Sequence, residues 1–105
     1  MIITLISDTH NKHKQIHFDL PGGDLLIHAG DISSMGYEHE IRQFCGWYDK
    51  IVTYDHKVFI AGNHDFGFEI YHDIAPEYKE KGVHYLFDNM VELDGVKIYG
   101  SPWQP

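Results

Sequence analysis

Three short, largely apolar runs, Ile2-Ile3-Thr4-Leu5-Ile6, Leu25-Leu26-Ile27-His28-Ala29 and Lys57-Val58-Phe59-Ile60-Ala61, constrain this chain more than any other feature. Each is continuous rather than alternating and rich in aliphatic, mostly branched residues, the pattern of a strand covered on both faces. Between the second and third runs, Ile41, Phe44, Cys45 and Tyr48 recur at i, i+3, i+4 and i+7, which predicts a helix over 36–50 with one apolar stripe. Strand, helix, strand is the βαβ unit, so the fold class is α/β, with a parallel sheet and right-handed crossovers.

Downstream, Phe68 to Ala75 reads as a short helix ending before Pro76, followed by a charged loop over 77–81. Val83 to Phe87 reads as a further strand, and Met90–Leu93 with Val96–Tyr99 as a hairpin turning at Asp94-Gly95. A length of 105 residues bounds the chain to one domain, over 1–105. The net charge of -8, from 16 acidic and 8 basic residues, argues against a surface that neutralises the phosphates of extended nucleic acid. Bound cations would reverse that potential locally without altering the composition. Cys45 is the only cysteine, so neither an intrachain disulfide nor a cysteine-based zinc site is available. With no signal-peptide pattern at the N-terminus and no apolar run near the roughly 18 residues that span a bilayer, no membrane partner and a cytoplasmic location are expected.

A polar cluster stands directly after each run: Asp8-Thr9-His10, Gly30-Asp31 and Gly62-Asn63-His64-Asp65. In a parallel sheet all three emerge at one edge, where open α/β sheets place ligands. Alternate residues leaving a strand point the same way, so Asp8 and His10 can grip one ion through a carboxylate oxygen and an imidazole nitrogen. Asp31, at the end of the adjacent strand, can bridge two ions with its two oxygens. Asn63 offers a neutral carbonyl oxygen, Gly62 permits the tight backbone that aims it, and His64 can exchange a proton near pH 7. Alone, Asp8-Thr9-His10 reads as a solvated loop and Gly30-Asp31 is weaker still, while at Gly62–Asp65 a helix N-cap by Asn63 or Asp65 reads equally well. Their convergence favours a divalent-metal site.

Asp-x-His, then Gly-Asp, then Gly-Asn-His-Asp, in this order and at strand ends, resembles the first half of the calcineurin-like metallophosphoesterases. Ile6-Ser7-Asp8-Thr9-His10 and Leu26-Ile27-His28-Ala29-Gly30-Asp31 are similar to that family's strands. Tyr99-Gly100-Ser101-Pro102-Trp103 is similar to its small metallophosphoesterase-domain subgroup, which includes brain-expressed animal members. The resemblance implies a layered sheet, the N-terminal half of a β-sandwich flanked by helices. It implies two divalent metal ions, Mn, Fe, Zn, Mg or Ni, with Asp8 and His10 on the first, Asp31 bridging and Asn63 on the second. His64 would be the catalytic histidine, while Asp65 would support the loop. The implied activity is hydrolysis of a phosphomonoester or phosphodiester substrate by a hydroxide held on the dinuclear centre.

Two further histidine motifs of the family, Gly-His and a later Gly-His-x-His, do not occur in this sequence. The expectation is therefore an N-terminal portion of the domain, inactive alone and completed by residues beyond Pro105 or by a second polypeptide. A sheet edge near Tyr99 favours such pairing. The alternative is a non-catalytic metal- or phosphate-binding module or split-protein subunit. Among the remaining histidines, His28 is expected to be a hydrogen-bonded core imidazole. His13 is a candidate to line the pocket and meet substrate, with His17 in the same loop. His39 and His56 are expected at exposed element ends, and His72 and His84 are not expected to replace the missing ligands.

Overall fold

Every apolar run identified above forms or enters a strand, and the helix between the second and third runs lies across the sheet they make. A computed structural model of the chain describes residues 1–16, 19–62, 65, 67–71, 73–74, 76–77 and 82–102, with the backbone alone at 69–70. In chain order the elements are β1 (Ile3–Ile6), α1 (His13–Ile16), β2 (Gly23–His28), α2 (Glu38–Asp49), β3 (Tyr54–Phe59), α3 (Gly67–Ile70), β4 (Val83–Tyr85), β5 (Asn89–Leu93) and β6 (Val96–Gly100). Strands β1 to β4 form a parallel sheet in that spatial order, and β5 and β6 form a separate antiparallel pair. The register aligns Ile6, His28, Phe59 and Tyr85 in one row across the sheet. The segments after β1, β2 and β3 therefore leave at a common edge.

Alternation along the strands divides the core between two layers. On one face Leu26 and Phe59 pack with Ile41, Phe44, Cys45 and Tyr48, the stripe of α2, and on the other Leu25 and Val58 pack with Leu86 and Leu93 under the hairpin. Helix α2 is held at both ends. Glu40, three residues into the first turn, accepts the Tyr37 N–H at 3.1 Å, and the Tyr48 hydroxyl reaches the carbonyls of Val58 (2.7 Å) and Leu26 (3.0 Å). At its other end Lys57, on β3 and buried, donates to the carbonyls of Tyr48 (2.6 Å), Ile51 (2.7 Å) and Asp49 (2.9 Å). That ammonium satisfies carbonyls that a helix C-terminus leaves without partners.

The hairpin turns at Asp94 (φ 51°) and Gly95 (φ 81°), the two positive-φ positions of a type I′ turn. Element bounds differ from expectation in places. The first strand is not covered on both faces: Ile3 is 45% and Leu5 70% exposed, because β1 is the sheet edge and, among the described residues, the cluster under the hairpin draws on β2, β3 and the segment after β4. β4 stops at Tyr85, short of Phe87, because Asp88 enters the left-handed region (φ 53°) and Asn89 Oδ1 takes the Phe87 N–H at 2.7 Å. α3 covers only Gly67–Ile70, and α1 occupies a segment expected to be a loop. No helix among the described residues is long and apolar enough to cross a membrane.

Replacing Lys57 by Met keeps the aliphatic stem but removes the ammonium donor from the carbonyls of Tyr48, Asp49 and Ile51, at and just beyond the α2 C-terminus. Thermal unfolding should register a loss of about 2 kcal/mol, roughly 10 °C in Tm for a chain of this size, and an unchanged Tm would contradict the capping role.

Candidate metal centre

The pairing of β1 with β2 does not end with the strands. Asp8 N–H donates to Gly30 O (2.9 Å), His10 N–H to Asp31 O (3.0 Å) and Asn11 N–H to Ile32 O (2.8 Å), so the two polar segments run on side by side as a continued ladder. Keeping that ladder while turning away from the sheet forces Asp8 (φ 57°), His10 (φ 42°), Asn11 (φ 67°) and Asp31 (φ 57°) into the left-handed region. Such a conformation costs an L-residue roughly 1–2 kcal/mol and is tolerated best by Asn, Asp and His, the residue types found here. Strain of this kind clusters at functional sites.

Asp8, His10 and Asp31 each present a ligand atom, and these atoms all lie within 4.8 Å of one another. His10 Nδ1 lies 3.3 Å from Ser33 O, which places the ring proton on Nδ1 and leaves Nε2 an acceptor, 3.8 Å from Asp8 Oδ1. An imidazole lone pair and a carboxylate oxygen facing each other at this separation can share a cation between them. A divalent cation with mixed oxygen and nitrogen ligands fits that donor set. The Ser7 hydroxyl, donating to Asp8 Oδ2 at 2.6 Å, and next Asp31 hold the Asp8 carboxyl below its ordinary pKa and keep it ionised for such a role. Asn63 and His64, expected to bind the second ion and to act on substrate, lie outside the described residues.

Asp65 is buried and supports the loops. Its carboxylate accepts Gly62 N–H (2.8 Å), Ile32 N–H (3.0 Å), Ser33 N–H (2.8 Å) and the Ser33 hydroxyl (2.6 Å), tying the segment after β3 to the one after β2. Gly62 is required where they touch, since a Cβ there would collide with the backbone N and carboxylate of Asp31. Glu40 does similar work beside the first segment, accepting from Asn11 Nδ2 and Ser34 N–H (2.9 Å). Its place three residues after Tyr37, at a helix start, is the sequence signal that points to it.

His28 is a hydrogen-bonded core imidazole, as expected, 0% exposed, with Thr9 Oγ1 2.9 Å from Nε2 and Gly30 N–H 3.1 Å from Nδ1. Burial pushes its pKa down from 6.5 to about 4, a loss that the charge of Asp65 only partly offsets. His13 corrects the expectation of a pocket-lining or solvated residue. It is buried, with its ring 4.8 Å from that of Trp47 and 5.7 Å from that of Phe44, because α1 turns it toward α2, and burial lowers its pKa. His56 stands within β3, half-buried, 3.1 Å from Asp94 of the hairpin turn rather than at an exposed element end. His39 is exposed on α2, and His84 lines a separate cavity of about 290 Å³ with Leu86 and Met90. His17 and His72 lie outside the described residues.

Beside Asp8 and Asp31 opens a cleft of about 160 Å³ whose far wall is formed by Ser101 and Pro102. Ser101 was legible only as part of the Tyr99–Trp103 resemblance. The structure brings it there because the hairpin register returns β6 to the edge from which the other segments emerge, and its hydroxyl donates to Asp88 at 2.8 Å.

Residues 1–101 match the sequence family described as calcineurin-like phosphoesterase. The chain is 36% identical to Metallophosphoesterase domain-containing protein 1 of Homo sapiens and of Mus musculus, over 95% of its own length and 36% of theirs. It is also 36% identical to a UPF0046 protein of Caenorhabditis elegans, over 93% of its length and 40% of the relative's. It thus spans between one third and two fifths of the length of these relatives.

The depressed pKa of His28 makes a prediction with a definite sign. Between pH 6.5 and about 4 the unfolded chain takes up a proton on this residue that the folded chain refuses, so its contribution is complete above pH 6.5 and declines as pH falls, by about 3 kcal/mol at most. Urea unfolding at pH 7, 5.5 and 4.5 should show a shallower decline for H28Q than for the wild type. Parallel declines would contradict the buried, neutral ring.

Proposed function

This chain belongs to the calcineurin-like phosphoesterase family, and we propose that it carries part of the active site of a metal-dependent phosphoesterase. The observation that supports this most directly is the convergence of Asp8, His10 and Asp31 to within 4.8 Å. In this reading Asp8 and His10 would hold one divalent cation, Asn63 would contribute to a second, and Asp31 would serve both. Divalent ions held by these groups supply positive charge to the phosphoryl oxygens and acidify water, whichever of Mn, Fe, Zn, Mg or Ni is present.

The chain's own residues do the rest. The Nδ1–H of His10, engaged by Ser33 O, aims Nε2 at the site, and the Asp65 hydrogen bonds hold the segments after β2 and β3 at a fixed separation. His64 passes a proton to the departing oxygen of the substrate, a phosphomonoester or phosphodiester. Ser101 and Pro102 give the cleft the wall against which the leaving group rests. The remaining ligands come from outside this stretch of sequence, from a continuing chain or a second polypeptide.

In the polypeptide as the cell makes it, hydrolysis of p-nitrophenyl phosphate or of bis-p-nitrophenyl phosphate should depend on added Mn²⁺ and be abolished by chelation. D31A should reduce kcat by more than the ~10–100-fold typical of residues that only orient a ligand. Turnover unchanged in D31A would overturn the reading. Stoichiometric Mn²⁺ binding without hydrolysis of either ester would instead favour a non-catalytic binding module.

A further inference from the structure

The two segments that carry Asp8, His10 and Asp31 are also joined, besides their backbone ladder, through a buried ring. His28 ends β2, its ring is fully buried, and it stands edge-on to Phe44 with ring centres 5.3 Å apart. Gly30 N–H, directly before Asp31, donates to Nδ1 at 3.1 Å, so Nδ1 carries the lone pair and the ring proton of the neutral imidazole sits on Nε2. That proton is donated to the hydroxyl of Thr9, 2.9 Å away and itself 8% exposed, in the residue between Asp8 and His10. One ring thus makes a hydrogen bond to the immediate neighbour of each of the three converging groups.

We propose that His28 is a positioning residue for the metal centre, fixing the Asp8–His10 segment to the Asp31 segment through Thr9 and Gly30. The proposal rests on the phosphoesterase reading for its functional consequence, although the linkage itself concerns this chain alone. Three features distinguish the arrangement from ordinary core packing. Both ring nitrogens are used, each toward a different ligand-bearing segment. The bonds run in the one direction that a single neutral tautomer can satisfy. And the backbone being held is in the left-handed conformation at Asp8, His10 and Asp31, a geometry that relaxes unless its surroundings over-determine it.

The test uses the wild-type protein, T9V, which removes the acceptor with little change in volume, and T9S, which restores the hydroxyl. Mn²⁺ alone is the probe, titrated calorimetrically, and amide hydrogen exchange is followed in metal-free protein. T9V should weaken Mn²⁺ binding by ~10–100-fold, the usual consequence of losing a group that orients a ligand. It should also speed exchange at the Asp8, His10, Asn11 and Gly30 amides at least tenfold, while Leu25 and Val58 in the core stay unchanged and T9S recovers both properties. Nitrogen-15 shifts of the wild-type His28 ring should report the proton on Nε2, a measurement that needs no variant.

Three results overturn the proposal: a proton on Nδ1, a uniform rise in exchange across the core in T9V, or T9V indistinguishable from wild type in local exchange. If the wild type binds no Mn²⁺, the phosphoesterase reading fails by itself, and the ring tautomer and exchange pattern still decide whether His28 joins the two segments.

Discussion

A single buried carboxylate holds the working edge of this molecule together. Asp65 is removed from water, and the cost of burying that charge is offset by four short hydrogen bonds, three from backbone N–H groups and one from a hydroxyl. Those donors belong to two different loops, so neither loop can move without leaving part of the charge unsatisfied. The constraint reaches further than the contacts themselves. Ile32, whose N–H it binds, accepts from Asn11 through its carbonyl, and Asn11 is tied in turn to Glu40 at the start of α2. Three loops and a helix terminus are thereby fixed relative to one another before any ligand arrives.

The hairpin contributes to the same edge from the opposite layer. Its apolar side buries Leu25 and Val58, which any amphipathic ribbon could do, but its register also brings Ser101 and Pro102 to face Asp8 and Asp31 across the cleft. Covering the sheet and walling the site are one act of packing. His56 and Asp94, meeting at 3.1 Å, hold the far end of the hairpin to β3.

What the sequence made legible follows from how local each determinant is. The strands and α2 could be read because continuous apolar runs and a 3.6-residue stripe are written in neighbouring positions, and Asp94-Gly95 because a type I′ turn demands residues that accept positive φ. The convergence of Asp8, His10 and Asp31 was legible once the ends of β1 and β2 were laid side by side. The exposed face of β1 was not, since Ile3 and Leu5 read like the buried residues of β2 and only the strand's place at the sheet edge separates them. Nor could His13 be assigned: its burial against Trp47 depends on a one-turn helix with no periodic signal. For Asp65, Glu40 and His28 the general role was legible but the partners were not, because each acts through another segment, at separations of 33, 29 and 19 residues.

The left-handed backbone at Asp8, His10, Asn11 and Asp31 has a consequence for the variation this edge can bear. Under the proposed reading Asp8, His10 and Asp31 answer to two independent requirements: each would offer an oxygen or nitrogen to a cation, and each must sit at positive φ without severe strain. Asp, Asn and His meet both; Glu and Gln meet the first and are poorly suited to the second. Lengthening Asp31 to Glu, conservative in charge and donor atoms, is therefore a backbone substitution as much as a side-chain one. The chemical alphabet of the site is narrowed by its turns, and a related sequence that changed the preferred ion would have to do so within three letters or rebuild the loop.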